Sequence, residues 1–167
     1  FIPSTSTLLS IMYLINAVYA SLVLSKAFDI PVVASYTTRP MREGEVNGVD
    51  HTFLKGCEAY AKLHTDHVVA YTEIGEYKYF MTLEMFKDKN IVLIDPNGLE
   101  YMKKEYGNEC DIFTIYVYCD SEVRNERAKG RSDYSTSYRK RNNAENKQFT
   151  EFEAKRDWDF FLSNSGN

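Results

Sequence analysis

The hydrophobic pattern of this chain predicts short buried strands. Runs rich in β-branched and aromatic residues cover residues 30–36, 90–95 and 111–119, and such runs are typical of strands buried on both faces. Two alternating, tyrosine-rich arms flank Gly75, which predicts a hairpin over residues 67–81. The pattern therefore predicts at least five strands before residue 120.

Helices are predicted between these strands. They are expected at residues 83–89, 99–107 and 122–130. A further helix is expected in the charged tail, because Tyr138, Phe149 and Phe152 have helical spacing, and a last strand is expected at 159–164. Alternating strands and helices imply a parallel sheet with helices on both faces. Ligands bind such sheets past the carboxyl ends of the strands, where Ser35 to Arg42 and Asp95 fall.

The first segment is apolar and carries no charged residue before Lys26. We expect a buried helix near residues 8–24, covered by a sheet and offering a surface through which two copies could form a homodimer. The alternative is a membrane span, because the run approaches the roughly 20 residues that a span needs. Ser10, Asn16 and Ser21 within the run argue against that alternative.

Composition narrows the class of protein. A chain of 167 residues fits one domain, and its net charge of -4 excludes a general binder of nucleic acid or of anionic membranes. The three cysteines form no CxxC pair, which indicates a reducing compartment and a cytoplasmic protein. Cys57, His64 and His67 lack a fourth ligand at zinc spacing, so no metal site is expected among them.

One loop, "SYTTRPMREGEVNGVDHTF" at residues 35–53, has the composition of an anion-binding surface. It resembles the monophosphate-binding segment of the guanylate kinase family, and the resemblance extends over roughly residues 32–164. "NIVLIDPNG" resembles the family's strand ending in Asp, and "EVRNERAKGR" with "SYRKRNNAE" resembles its arginine-bearing lid helices. The resemblance implies an α/β fold: a three-layer P-loop NMP-kinase-like parallel sheet, a small mixed-β monophosphate-binding subdomain and a helical lid.

The resemblance also implies a division of the chain. All 167 residues would form one guanylate-kinase-like domain. Its parts would be a core at residues 1–34 and 88–125, the monophosphate-binding subdomain at 35–87, a lid at about 126–157 and a final core strand at about 158–164.

The implied activity is ATP-dependent phosphorylation of GMP or dGMP by direct in-line transfer, with Mg²⁺ accompanying ATP. No covalent intermediate or general base is required, because the attacking phosphate oxygen is already anionic. The resemblance assigns substrate binding to Ser35, Arg39, Arg42, Glu45, His51, Glu73, Tyr79 and Asp95. It assigns catalysis to the lid arginines Arg127, Arg131 and Arg141.

The chain departs from the family pattern at several of these positions. His51 stands where the family has a tyrosine on the phosphate, and it adds a titratable group. Ala70 stands where the family has the glutamate that reads the guanine edge, and Glu73 could substitute only with a different strand register. Phe80 and Met81 replace small residues that follow the second hairpin tyrosine.

The largest departure concerns the GxxxxGK[ST] loop that cradles donor phosphates in such kinases. No glycine precedes Gly44 and no lysine precedes Lys26. Two hypotheses follow: an enzyme whose glycine-rich first strand and loop are absent from this sequence, or a catalytically inactive binding or scaffold module. Retention of both Arg39 and Arg42 favours the enzyme, since a scaffold has less need of a complete monophosphate grip.

Overall fold

The computed structural model describes residues 7–12, 17–86, 91–129 and 139–166. Its strands are β1 (Thr7–Met12), β2 (Val32–Val33), β3 (Tyr36–Thr37), β4 (Thr52–Phe53), β5 (Val68–Ile74), β6 (Tyr77–Thr82), β7 (Ile91–Ile94), β8 (Asp111–Tyr118) and β9 (Phe160–Ser163). Its helices are α1 (Ala17–Phe28), α2 (Gly56–Thr65), α3 (Pro96–Tyr106), α4 (Ser121–Lys129) and α5 (Arg139–Lys155), with a single 3₁₀ turn at Leu83–Phe86.

The larger sheet is parallel throughout, in the order β2-β7-β1-β8-β9. On one face, Val92 and Tyr116 of the sheet form a core with Met102 of α3 and Phe149 of α5. Those on the other face, including Ile91 and Val117, pack against α1. Helices therefore cover both faces, as the predicted three-layer α/β architecture requires.

The smaller sheet is mixed, in the order β4-β3-β6-β5. Its hairpin is the predicted one, because β5 and β6 pair antiparallel around Gly75, which has a φ of 65°. The predicted strand over residues 30–36 divides instead between the two sheets: β2 pairs with β7, whereas β3 pairs with β4 and β6. The chain crosses between sheets at Ala34 and Ser35, which brings the following loop to the space between them.

The first segment corrects the sequence-based prediction. Residues 7–12 are not helical but form β1, the central strand of the larger sheet, and α1 begins only at Ala17. A strand buried between two neighbours is apolar along its whole length, so it has the same pattern as a buried helix. The first strand of the fold is therefore present in this sequence, and the hypothesis that it is absent was wrong.

Helix α1 is only partly covered. Leu22 and Phe28 are 55% and 66% exposed, and no helix in the described part of the chain is long and apolar enough to cross a membrane. Pairing of two copies through this surface stays a prediction. Helix α2 was not predicted, because its sequence is only weakly amphipathic and it buries Ala59 as its single fully covered side chain among the described residues.

Helix α3 fixes the end of β7. Asp95 caps it by accepting a 2.7 Å hydrogen bond from the Gly98 N–H, and Pro96 occupies the first turn. A Cβ on Gly98 would lie 2.8 Å from Ile94 Cγ1 and 3.0 Å from Asp95 Oδ1, so only glycine lets the turn close. This cap holds the Asp95 carboxyl at the carboxyl end of the sheet.

Candidate active site

A cavity of about 220 Å³ lies between the two sheets. Its walls come from α1, the loop at residues 42–51, the β5–β6 hairpin, the end of β7 and one residue of α5. The fold brings seven of the eight predicted substrate-binding residues to this region. Six of them line the cavity: Ser35, Arg42, Glu45, His51, Tyr79 and Asp95. The seventh, Arg39, lies just behind the wall.

Arg39 is buried, with 5% of its side chain exposed, and is held by Glu45. Its Nη1 and Nη2 donate to the two carboxylate oxygens of Glu45 at 2.9 and 2.8 Å, and Nη1 also donates to the Pro40 carbonyl at 2.8 Å. Its guanidinium lies 5.3 Å from the centre of the Phe53 ring. Burial is the largest single effect and lowers the pKa of Arg39, but the hydrogen bond to Glu45 and the interactions with Tyr79 and the Glu45 charge together outweigh it, so the pKa is raised and the group stays charged.

Glu45 joins the two arginines of the loop. Besides the Arg39 bonds, its carboxylate accepts a 2.7 Å hydrogen bond from the backbone N–H of Arg42, and Arg42 Nη1 lies 3.6 Å away. Burial raises the pKa of Glu45, but these bonds outweigh it and lower the pKa overall. One carboxylate therefore joins two guanidinium groups, which are the groups of this wall able to pair with an anion.

The loop that carries these residues is closed by glycines. Gly44 and Gly48 adopt φ angles of 82° and 81°, which L side chains rarely adopt. The Gly48 N–H donates to the His51 carbonyl at 2.7 Å, and the Val46 N–H donates to Asp50 Oδ2 at 2.7 Å. The sequence signal NG followed by D thus corresponds to a folded turn that aims His51 into the cavity.

His51 contacts the serine predicted to bind phosphate. Its Nδ1 lies 2.9 Å from Ser35 Oγ, and its ring packs edge-on against Tyr79 and Phe53, with centroids 5.8 Å apart in both pairs. Burial, and then the positive charge of Arg39, lower the pKa of His51 to about 4. The imidazole is therefore neutral at pH 7 in this state.

The opposite part of the cavity is mostly apolar. Ala70, Phe80 and Met81 line it and are buried. Its polar pair joins the predicted Asp95 to Thr72, which sequence reasoning missed: Thr72 Oγ1 donates to Asp95 Oδ2 at 2.8 Å. Burial raises the pKa of Asp95, although hydrogen bonds from Gly98 and Thr72 oppose that effect. The alternation of β5, which places Thr72 and Ala70 on one face, was the signal that could have identified Thr72.

Glu73 lies on the other face of β5 and does not line the cavity. Its carboxylate accepts a 2.8 Å bond from Lys78 Nζ and a short hydrogen bond from the Tyr71 hydroxyl, and its side chain is 54% exposed. The register of β5 therefore places Glu73 outside the cavity, because neighbouring residues of a strand point to opposite faces of the sheet. The structure does not bring Glu73 to the predicted base-reading position.

The predicted lid arginines are only partly described. Arg127 lies on α4, where Nη1 and Nη2 donate to the carbonyls of Asn164 and Gly166, both at 3.0 Å, and it does not line the cavity. Arg131 lies outside the described residues, and so does the side chain of Arg141, which falls within α5. Their catalytic roles stay predictions.

The donor side of the site begins where β1 ends. In the GxxxxGK[ST] pattern the loop follows the first strand directly, so the eight residues from Tyr13 to Ala20, "YLINAVYA", occupy its place. They contain no glycine, lysine or hydroxyl-bearing serine or threonine. Among the described side chains of α1, Val18 and Leu22 line the cavity, and Ser21 Oγ donates to the Val18 carbonyl at 2.8 Å. The described donor side is therefore apolar.

Comparisons with known proteins agree with this architecture. The sequence matches the guanylate kinase family model over residues 14–166, and the chain belongs to the guanylate kinase family. It is 25% identical over 133 residues to a guanylate kinase of Porphyromonas gingivalis, and this match covers 75% of the chain and 71% of that protein. The crystal structure of guanylate kinase from Anaplasma phagocytophilum matches its fold with a TM-score of 0.71 at 18% identity, covering 99% of this chain and 80% of the other.

Proposed function

We propose that this protein phosphorylates GMP or dGMP to the diphosphate, with ATP as the phosphoryl donor. The observation that carries the proposal is one cavity wall in which Ser35, Arg42 and Tyr79 converge. Behind it lies Arg39, whose ion pair with Glu45 keeps a second guanidinium within the same hydrogen-bonded network. Membership of the guanylate kinase family supports the same activity.

The acceptor half of this reaction requires positioning and charge. A monophosphate seated at this wall would meet the Arg42 guanidinium, the Ser35 hydroxyl and the Tyr79 phenol as hydrogen-bond donors. Its own oxygen is the nucleophile, so the protein need not supply a base and must mainly hold that oxygen in line with the donor. The nucleobase of the monophosphate would lie toward Thr72 and Asp95, which provide polar groups in the opposite part of the cavity.

The donor half has weaker support. The family in general uses ATP with Mg²⁺, yet the described start of α1 presents Val18 and Leu22 to the cavity where phosphates need cations or backbone donors. The described residues also contain no group of three or more His, Cys, Asp or Glu side chains that could hold a metal ion. Donor binding would therefore depend on the lid arginines Arg131 and Arg141, and Mg²⁺ would arrive with ATP.

The donor-side sequence favours a second candidate, a module that binds the monophosphate without transferring phosphate to it. The comparisons favour the kinase, whereas "YLINAVYA" is the observation that favours the module. Both candidates share the acceptor site and differ only in whether ATP is bound and consumed.

Three free cysteines are consistent with a reducing compartment, and we place the protein in the cytoplasm as part of the same proposal.

Titration of GMP by calorimetry, followed by measurement of GDP formation from GMP and MgATP, tests the proposal. We expect GMP to bind and GDP to accumulate in proportion to protein concentration. Binding of GMP without GDP formation would establish the module instead. Absence of GMP binding would refute both candidates, with AMP and UMP measured in parallel to identify another base.

A further inference from the structure

We infer that His51 takes up a proton when the cavity binds a phosphate dianion, which makes monophosphate binding by this chain dependent on pH. The inference deepens the proposed function and rests on it only in that the ligand carries a phosphate. It does not require that ATP binds or that phosphoryl transfer occurs.

The geometry leaves one ring nitrogen of His51 available to a ligand. Nδ1 is engaged with Ser35 Oγ at 2.9 Å, and the ring is held edge-on between Tyr79 and Phe53. Nε2 makes no hydrogen bond to any residue that the structure describes, while the side chain lines the cavity. A phosphate between Ser35 and Arg42 would therefore be within reach of Nε2, which can donate to it once protonated.

The charges around His51 are opposed in the empty cavity. Arg39 disfavours the imidazolium, whereas Glu45 and Asp50 favour it, and Arg42 and Tyr79 line the same cavity. Burial is the largest effect and acts with Arg39, so the pKa of His51 falls to about 4. The imidazole of His51 is therefore neutral at physiological pH while the cavity is empty.

A bound phosphate dianion reverses this balance. One opposite charge within about 4–6 Å moves a pKa by roughly 1–3, and the dianion brings two such charges. It also pairs with the arginine charges that disfavour the imidazolium in the empty cavity. The pKa of His51 in the complex would then rise past physiological pH, which couples binding to uptake of a proton from solvent.

The sign of the coupling follows from the protonation states. Because the complex holds more protons than the free protein, affinity rises as pH falls from about 8 toward 6, by at most about tenfold for each pH step of one. The gain ends near pH 6, where the phosphate itself takes up a proton. A tyrosine at this position has a pKa of about 10 and would exchange no proton in this range.

The experiment is NMR of the imidazole nitrogens in uniformly ¹⁵N-labelled full-length chain. Only three histidines are present, so the spectrum is simple, and His51→Gln assigns the ring of interest. The ring is followed from pH 5.5 to 8 alone, with GMP, with inorganic phosphate and with guanosine. We expect a neutral ring alone and with guanosine, and an imidazolium at pH 7 with GMP or phosphate.

The outcomes separate the two proposals. If neither GMP nor inorganic phosphate at saturating concentration protonates His51, the inference is overturned. If phosphate protonates the ring but GMP does not bind, the inference stands and the proposed function fails. If GMP binds and the ring stays neutral, the proposed function stands and the inference fails.

Calorimetry provides an independent count of protons. GMP is titrated at pH 7 into each protein in two buffers of different ionisation enthalpy, so that the difference in heat gives the protons taken up. His51→Tyr should still bind GMP but lose most of the uptake. His64→Gln is the matched control, because His64 is exposed and its Nδ1 contacts only the Tyr60 carbonyl, so uptake should not change. Equal uptake by the wild type and His51→Tyr would overturn the inference.

Discussion

The two ends of the cavity differ in how the chain supplies charge. The acceptor end holds two arginines joined to the Glu45 carboxylate through hydrogen bonds of 2.7–2.9 Å, and the Ser35 hydroxyl 2.9 Å from His51 Nδ1. The donor end presents Val18 and Leu22, and the sequence that precedes them offers no cation. The two ends therefore differ in the chemistry that the described side chains offer to a phosphate.

The difference shows which part of the fold depends on side chains and which on backbone. The acceptor end keeps its charge as long as Arg39, Arg42 and Glu45 are retained. A phosphate-binding loop depends instead on glycines that expose backbone N–H groups, and it is lost when those glycines are replaced.

The largest expected effect is at the donor end. The quadruple change Tyr13→Gly, Val18→Gly, Tyr19→Lys and Ala20→Ser restores the GxxxxGK[ST] pattern within the present spacing. We expect the rate of GDP formation at saturating GMP to rise by about 10²–10³-fold, as donors aimed at developing phosphate charge typically provide. The same graft in an Arg39→Ala background controls for nonspecific ATP hydrolysis. The prediction is wrong if the wild type already turns over at about 1–100 s⁻¹ and the graft leaves this rate unchanged. The apolar donor end would then not limit phosphoryl transfer.

A smaller but still large effect is expected at the acceptor end. Arg39→Ala removes a charge and leaves the half-buried carboxylate of Glu45 with fewer partners, so the Kd for GMP should rise by about 10²-fold, equivalent to roughly 2–3 kcal/mol. Calorimetric titration measures it, and thermal unfolding checks that the variant is folded. Lys104→Ala, which removes an exposed cation paired with Glu105, is the control and should bind like the wild type. An unchanged Kd for Arg39→Ala would exclude this loop from phosphate binding.

The smallest effect concerns the base. Ala70 lines the cavity at the position where the family has a guanine-reading glutamate, so Ala70→Glu should raise the preference for GMP over AMP by about tenfold. Ala70→Gln has nearly the same size without the charge and should gain less. Competition of the two nucleotides for one labelled probe gives the ratio. If the ratio is unchanged in a folded Ala70→Glu variant, the base does not lie against β5.

Much of this fold was predictable because its patterns are local. The hairpin of β5 and β6, the strand β8 and the helix α3 each showed an unambiguous period or cap in the sequence. The helix predicted for the first segment was wrong over residues 7–12 for a physical reason. A central strand and a buried helix both consist mainly of apolar residues, so their patterns are alike. Only the pairing of β1 with β7 and β8, which is not local, distinguishes them.

The candidate site was predictable where it depended on one continuous loop. Arg42, Glu45 and His51 lie within a few residues of one another, so their convergence follows from the turn itself. Thr72 and Asp95 are far apart in sequence and meet through packing of the two sheets, which no local pattern reports. The outward direction of Glu73 likewise follows from strand register, which residue type alone does not determine.

The position of β1 also bears on how the chain is made. Thr7 aligns with Asp111 and Leu9 with Ile91, so β1 can pair with β7 and β8 only after those later strands have left the ribosome. Until then this apolar strand has unpaired edges, and pairing over such sequence distances is slow. A nascent chain interrupted before residue 111 would carry an open edge on β1, which makes translation pauses before β8 a hazard for aggregation in the cell.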